Sequence, residues 1–90
     1  LAVFFADWCP FCRSFLKLFE SKMKGRTKPQ AAIVDVGNTN DPLWEIFGIQ
    51  IVPTLVGFMN GRVTVRKDGV AGVGLGIPAL EDAIRQMGSD

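Results

Sequence analysis

The chain has 90 residues, 48% hydrophobic and 21% charged, with a formal net charge of +1. That is enough for one domain with its own core, so a single domain over residues 1–90 is expected. No run of about 18 apolar residues is present, which excludes a membrane-spanning helix. The balanced charge offers no broad basic surface for nucleic acid, and Lys17, Lys22, Lys24, Arg26 and Lys28 read as a solvated helix end. The first residue is Leu1, and no pattern of basic start, apolar run and small-residue cleavage site follows it. A cytoplasmic monomer without nucleic-acid or membrane partners is expected, and a start at Leu1 is consistent with a chain trimmed at its N-terminus.

Residues 1–6 form a short apolar run with Val3, Phe4 and Phe5, the pattern of a strand buried on both faces. Asp7-Trp8-Cys9-Pro10 breaks it. From 11 to 24 the apolar residues recur at helical spacing, through Cys12, Phe15, Leu16, Phe19 and Met23. Pro10 suits the first turn, where its missing N–H is not needed, and Gly25 suits the stop. Residues 30–36 predict a second apolar strand. Asp41-Pro42 predicts a helix start, leading through Leu43, Trp44, Ile46 and Phe47 to Gly48.

Residues 54–59 and 62–67 predict two further strands, joined at Asn60-Gly61, a strong hairpin signal. Val63 and Val65 alternate with polar residues, as on an edge strand with one wet face. A glycine-rich loop follows, with Gly69, Gly72, Gly74 and Gly76. Pro78 then opens a last helix with Leu80, Ile84 and Met87 on one side. The order βαβ, helix, β-hairpin, helix predicts an α/β fold: a four-stranded mixed sheet with helices on both faces and a right-handed crossover between the first two strands.

The chemistry-bearing residues are Cys9 and Cys12, the only cysteines in a chain without histidine. The missing histidine removes Cys–His nucleophile pairs, Ser–His–Asp triads and most zinc sites. No further cysteine is present to complete a metal site, and no metal is expected. A structural disulfide across so short a span would restrain the unfolded chain little. The pair sits where a buried strand gives way to a helix. The unpaired N–H groups of the first helical turn, including those of Phe11 and Cys12, favour an anion and so stabilise the Cys9 thiolate. Cys12, one turn further in on the apolar face, is placed to attack a mixed disulfide on Cys9. An exposed attacking thiolate at Cys9 and a shielded resolving thiol at Cys12 are expected.

Trp8-Cys9-Pro10-Phe11-Cys12 after the first strand, Ile51-Val52-Pro53-Thr54 before the hairpin and a glycine after the last strand together resemble the thioredoxin superfamily. The resemblance covers nearly the whole chain and lacks the leading strand and helix of a full-length thioredoxin. What remains is similar to the minimal fold of glutaredoxins. It implies a cis Val52–Pro53 peptide lying against the cysteine pair, with the backbone of Val52 exposed to pair with an extended substrate. It also implies an apolar rim at Trp8 and substrate contacts from Pro10 and Phe11. At Gly69 and Val70 it implies a loop whose small residue admits the substrate. The function implied is reversible thiol–disulfide exchange with disulfide-containing proteins, in electron transport and cell redox homeostasis, with a reductase or glutathione as the electron donor. No cofactor beyond the redox-active Cys9–Cys12 pair is expected, glutathione being the small molecule the resemblance admits.

There are departures from the family pattern. The buried Asp that thioredoxins carry six residues before the first cysteine is Val3 here, and its Lys companion corresponds to Ala31. Asp7, near the exposed rim, is not an obvious replacement. The dipeptide Pro10-Phe11 is similar to that of glutaredoxins rather than to Gly-Pro. Their Thr-Val-Pro appears only as Ile51-Val52-Pro53, and their Gly-Asp is reversed as Asp68-Gly69. Alternative functions are a glutathione-dependent or iron–sulfur-binding glutaredoxin-like protein, and a non-catalytic binding module.

Overall fold

The computed structural model describes residues 1–88. Its seven elements run β1 (Ala2–Phe5), α1 (Pro10–Met23), β2 (Ala32–Asp35), α2 (Leu43–Ile46), β3 (Thr54–Met59), β4 (Arg62–Lys67) and α3 (Ile77–Gln86). The four strands make one sheet in the order β2-β1-β3-β4. β1 runs parallel to β2 across the α1 crossover and antiparallel to β3, and β3 is antiparallel to β4. The fold is therefore the mixed α/β sheet expected from the element order.

Alternation along β1 divides the core into two layers. Val3 points to one face, where it meets Leu55, Val65, Phe15, Phe19 and Met23 of α1, and Leu80, Ala83, Ile84 and Met87 from α3 onward. Each such fully buried side chain contributes about 1.5–3 kcal/mol. Ala2 and Phe4 point to the other face and pack with Val36, Ile49, Val52 and Val56. There α2 lays Leu43, Trp44 and Phe47 over them, and Phe47 meets Phe4 and the edge of Phe58. Cys9 and Cys12 belong to this second layer. The helices thus cover both faces, with α1 and α3 on one and α2 on the other.

Several sequence expectations shift. The strand expected over 30–36 is confined to Ala32–Asp35, and it is a sheet edge whose Ile33 is 48% exposed. Gln30 leaves the ladder to accept the Leu1 ammonium on its carbonyl at 2.7 Å. Val63 does not share the inward face of Val65. The register slips between Gly57 and Phe58, so that Val65 pairs with Gly57 while Val63 pairs with Phe58. A bulge of this kind swaps the face of every residue beyond it, and Val63 is left 50% exposed beside Phe58. The hairpin turn is as expected, with Asn60 at φ 55° and Gly61 at φ 78°. Two X–Pro peptides are cis, Val52–Pro53 and Lys28–Pro29; the second carries no signal in the sequence reading.

Candidate functional site

The site grows from the end of β1. The chain leaves the sheet at Ala6, whose carbonyl accepts the N–H of Cys9 at 3.2 Å. Cys9 is the N-cap of α1 with extended backbone, and Pro10 occupies the first helical position. Cys12 falls one turn further on, facing inward. Both cysteines are free thiols.

Their environments depart from the sequence reading. Cys9 is not exposed: it retains only 6% of its surface, and Cys12 retains 1%. The cover over Cys9 comes from the proline segment. The Cys9 thiol donates a hydrogen bond to the Val52 carbonyl at 3.2 Å, so Val52, whose backbone was expected to be exposed, is buried with its carbonyl occupied by Cys9. Burial pushes the Cys12 thiol up to about 12, helped by its hydrogen bond to Cys9 and opposed by the Ala6 N–H. A donor chain thus runs from Ala6 N–H to Cys12, to Cys9, to the Val52 carbonyl. The Cys12 N–H is not free to face the Cys9 sulfur, because it donates to the Cys9 carbonyl at 3.3 Å.

Around the pair stand the other residues singled out from the sequence. Pro10 and Phe11 are exposed beside Cys9. Trp8 is 55% exposed, and its indole N–H donates to the Gly37 carbonyl at 2.8 Å. Pro53 is buried, next in sequence to the Val52 carbonyl that Cys9 touches. Val70 is exposed and exchanges two backbone hydrogen bonds with Gly74. The structure brings all of these to one end of the sheet.

Gly69 lies against the proline segment. A Cβ there would lie 2.5 Å from the Pro53 carbonyl oxygen and 3.1 Å from Ile51 Cγ2. The missing side chain makes room for the protein's own proline segment.

Three further residues shape the site without having been recognised. Trp44 stacks on Trp8, with centroids 6.4 Å apart and planes 8° from parallel, and its indole N–H is held by the Val36 and Asn38 carbonyls. In the sequence it reads only as an apolar residue of a short helix. Gly74, at φ +82°, lies so close to Phe11 that a Cβ would meet the Phe11 Cβ at 2.7 Å. The glycine-rich loop is thereby seated against the dipeptide between the cysteines. Arg66 reaches from β4 to the carbonyls of Phe47 and Gly48, the latter at 3.0 Å, and pairs with Asp68. It ties the edge strand to the segment that leads into Pro53. Only a contact map could have revealed this role.

A strand-to-helix turn carrying C-x-x-C and facing a cis proline across a mixed sheet defines the thioredoxin-like class of proteins. Residues 1–75 match the family model described as Thioredoxin, and the chain belongs to that family. No solved structure matches it. The family fold and the spacing of the two cysteines support a thiol–disulfide redox function.

Proposed function

We propose that this protein is a thiol–disulfide oxidoreductase acting on protein disulfides, with Cys9 as the attacking sulfur and Cys12 as the resolving one. The observation that carries the reading is the position of Cys9. It caps α1 and touches the Val52 carbonyl beside a cis proline. A purely structural thiol has no use for that arrangement.

In the reducing direction, Cys9 gives up its proton and its sulfur attacks one sulfur of the substrate disulfide. The substrate S–S bond breaks, and a mixed disulfide remains on Cys9. Cys12 then loses its proton and attacks the Cys9 sulfur. The Cys9–Cys12 bond forms and the second substrate thiolate leaves, so two electrons have passed to the substrate. A reductase or glutathione restores the dithiol. Trp8, Phe11 and Val70 offer exposed apolar surface around Cys9 for an extended substrate segment, and the Val52 backbone lies beside the reacting sulfur to orient it.

The test is turnover. With dithiothreitol as reductant, the protein is expected to accelerate reduction of insulin. Cys9→Ser should abolish the acceleration, and Cys12→Ser should accumulate a mixed disulfide on Cys9. Full activity in Cys9→Ser would dismiss the proposal.

A further inference from the structure

With Val3 fully buried where a carboxylate would otherwise stand, the release of the Cys12 proton needs another route. Beneath the turn between β1 and α1 lies a cavity of about 100 Å³, room for about three waters. Cys9 and Cys12 line it together with Asp7 and Arg13, and Phe5 and Leu16 wall it. Cys12 is sealed from solvent, whereas Asp7 is exposed. The cavity is therefore lined both by the residue that carries the buried sulfur and by an exposed acidic residue. The Cys12 sulfur already accepts the N–H of Ala6, the residue before Asp7.

We propose that Asp7 accepts the Cys12 proton through water held in this cavity when the mixed disulfide is resolved. The inference rests on the oxidoreductase reading and assigns it a proton acceptor. Among the residues that line the cavity, Asp7 is the one carboxylate. The 49–53 segment and the 70–74 loop carry no titratable side chain, and neither does β1. Asp35 of β2 lies across Gly37 from Asp7, but its Oδ1 is committed to the Gly37 N–H at 2.8 Å. Arg13 is the one cation lining the cavity.

Written out, Cys12 Sγ–H gives its proton to a cavity water, and that water passes a proton to the Asp7 carboxylate. The exposed carboxyl returns it to solvent. The freed electron pair on Cys12 forms the bond to the Cys9 sulfur. The bond between Cys9 and the substrate sulfur breaks, and its electron pair leaves on the substrate thiolate. No further oxidant or reductant enters.

The test follows the two steps separately in the full chain. Reduced protein is mixed with excess oxidised glutathione over a pH series, acid-quenched, and weighed to count the Cys9 adduct and the internal disulfide. In Asp7→Asn, conversion of adduct to internal disulfide should slow at neutral pH by at least about tenfold, within the usual worth of a general base. The deficit should shrink as pH rises and hydroxide takes over. Asp7→Glu should restore most of the rate, and alkylation of Cys9 in the reduced Asp7→Asn protein should stay within about twofold of wild type. Conversion at the wild-type rate would overturn the assignment. So would a deficit equal at every pH, the mark of a displaced Cys12 rather than a lost proton acceptor. If the wild type forms no adduct on Cys9 at all, the oxidoreductase reading itself falls, and this inference with it.

Discussion

The thiol of Cys9 and the carbonyl of Val52 are joined by a 3.2 Å hydrogen bond. The sulfur that caps α1 is therefore held by the residue preceding the cis proline, 43 positions along the chain. An incoming group must displace that contact to reach the Cys9 sulfur, and Cys12 has no comparable opening.

Selective modification follows from this difference. Burial pushes the Cys12 thiol up to about 12, so it stays protonated at neutral pH. Cys12 is also sealed. Brief treatment with iodoacetamide should label Cys9 and leave Cys12 untouched, as peptide mass mapping would show. Label arriving first on Cys12 would reverse the assigned roles.

The reduction potential is expected to lie above the thioredoxin value of about −270 mV, in the range of roughly −200 to −230 mV. In the reduced protein the Ala6–Cys12–Cys9–Val52 chain of hydrogen bonds stabilises the dithiol. No buried carboxylate stands at Val3 to oppose thiolate formation. Equilibration against a glutathione redox series, followed by acid trapping and alkylation, gives the value. A potential at or below that of thioredoxin would show that these contacts do not set it.

Two glycines of the same loop should respond differently to alanine. At Gly69 a methyl group meets the Pro53 carbonyl at 2.5 Å. The proline segment must move, at about 1–3 kcal/mol, and exchange activity should fall with stability. At Gly72 the space is open and only the φ of +74° is strained, which costs about 1–2 kcal/mol. That loss should appear in urea unfolding with activity retained. Equal activity in the two variants would detach Gly69 from the site.

Acid stability should depend on Asp82. Its carboxylate accepts from Lys67, Arg85 and Gln86, and these partners, Lys67 foremost, lower it from 3.8 to about 2. A carboxylate lowered on folding adds stability above its unfolded value and loses it as pH falls through its folded one. The advantage of wild type over Asp82→Asn should be complete above about pH 4, decline through pH 3 and vanish near pH 2. Denaturant midpoints across that range would measure it. A difference that persists below pH 2 would exclude the ionised carboxylate as its source.

Much of the architecture was legible because local chemistry and fold agree at particular places. Asn60-Gly61 supplies the two positive φ values of the tight hairpin, and both strands around it fall on their expected residues. Pro10 and Gly25 bracket α1 to within a residue. The misreadings arise where the answer depends on a partner. Alternation placed Val63 inward, but the bulge opposite Gly57 is a property of the pair of strands and not of either one. The exposure of β2 follows from its being an edge, which its apolar residues do not announce. At the site, the two cysteines and Pro53 are marked by spacing. The burial of Cys9 under Val52, the seat of Gly74 on Phe11 and the cavity linking Asp7 to Cys12 each join segments remote in sequence, and no periodicity records them.

The stacking of Trp8 on Trp44 has an optical consequence. These are the only two tryptophans of a chain without tyrosine, and they lie face to face beside Cys9. Ultraviolet emission excited above the phenylalanine band therefore originates entirely at this end of the sheet. The signal of the whole molecule is a local one: it reports what approaches or leaves Cys9 while remaining blind to the α1–α3 layer on the other face. A fluorescence melt of this protein would record when the redox end opens, and agreement with circular dichroism would show that the two layers unfold together.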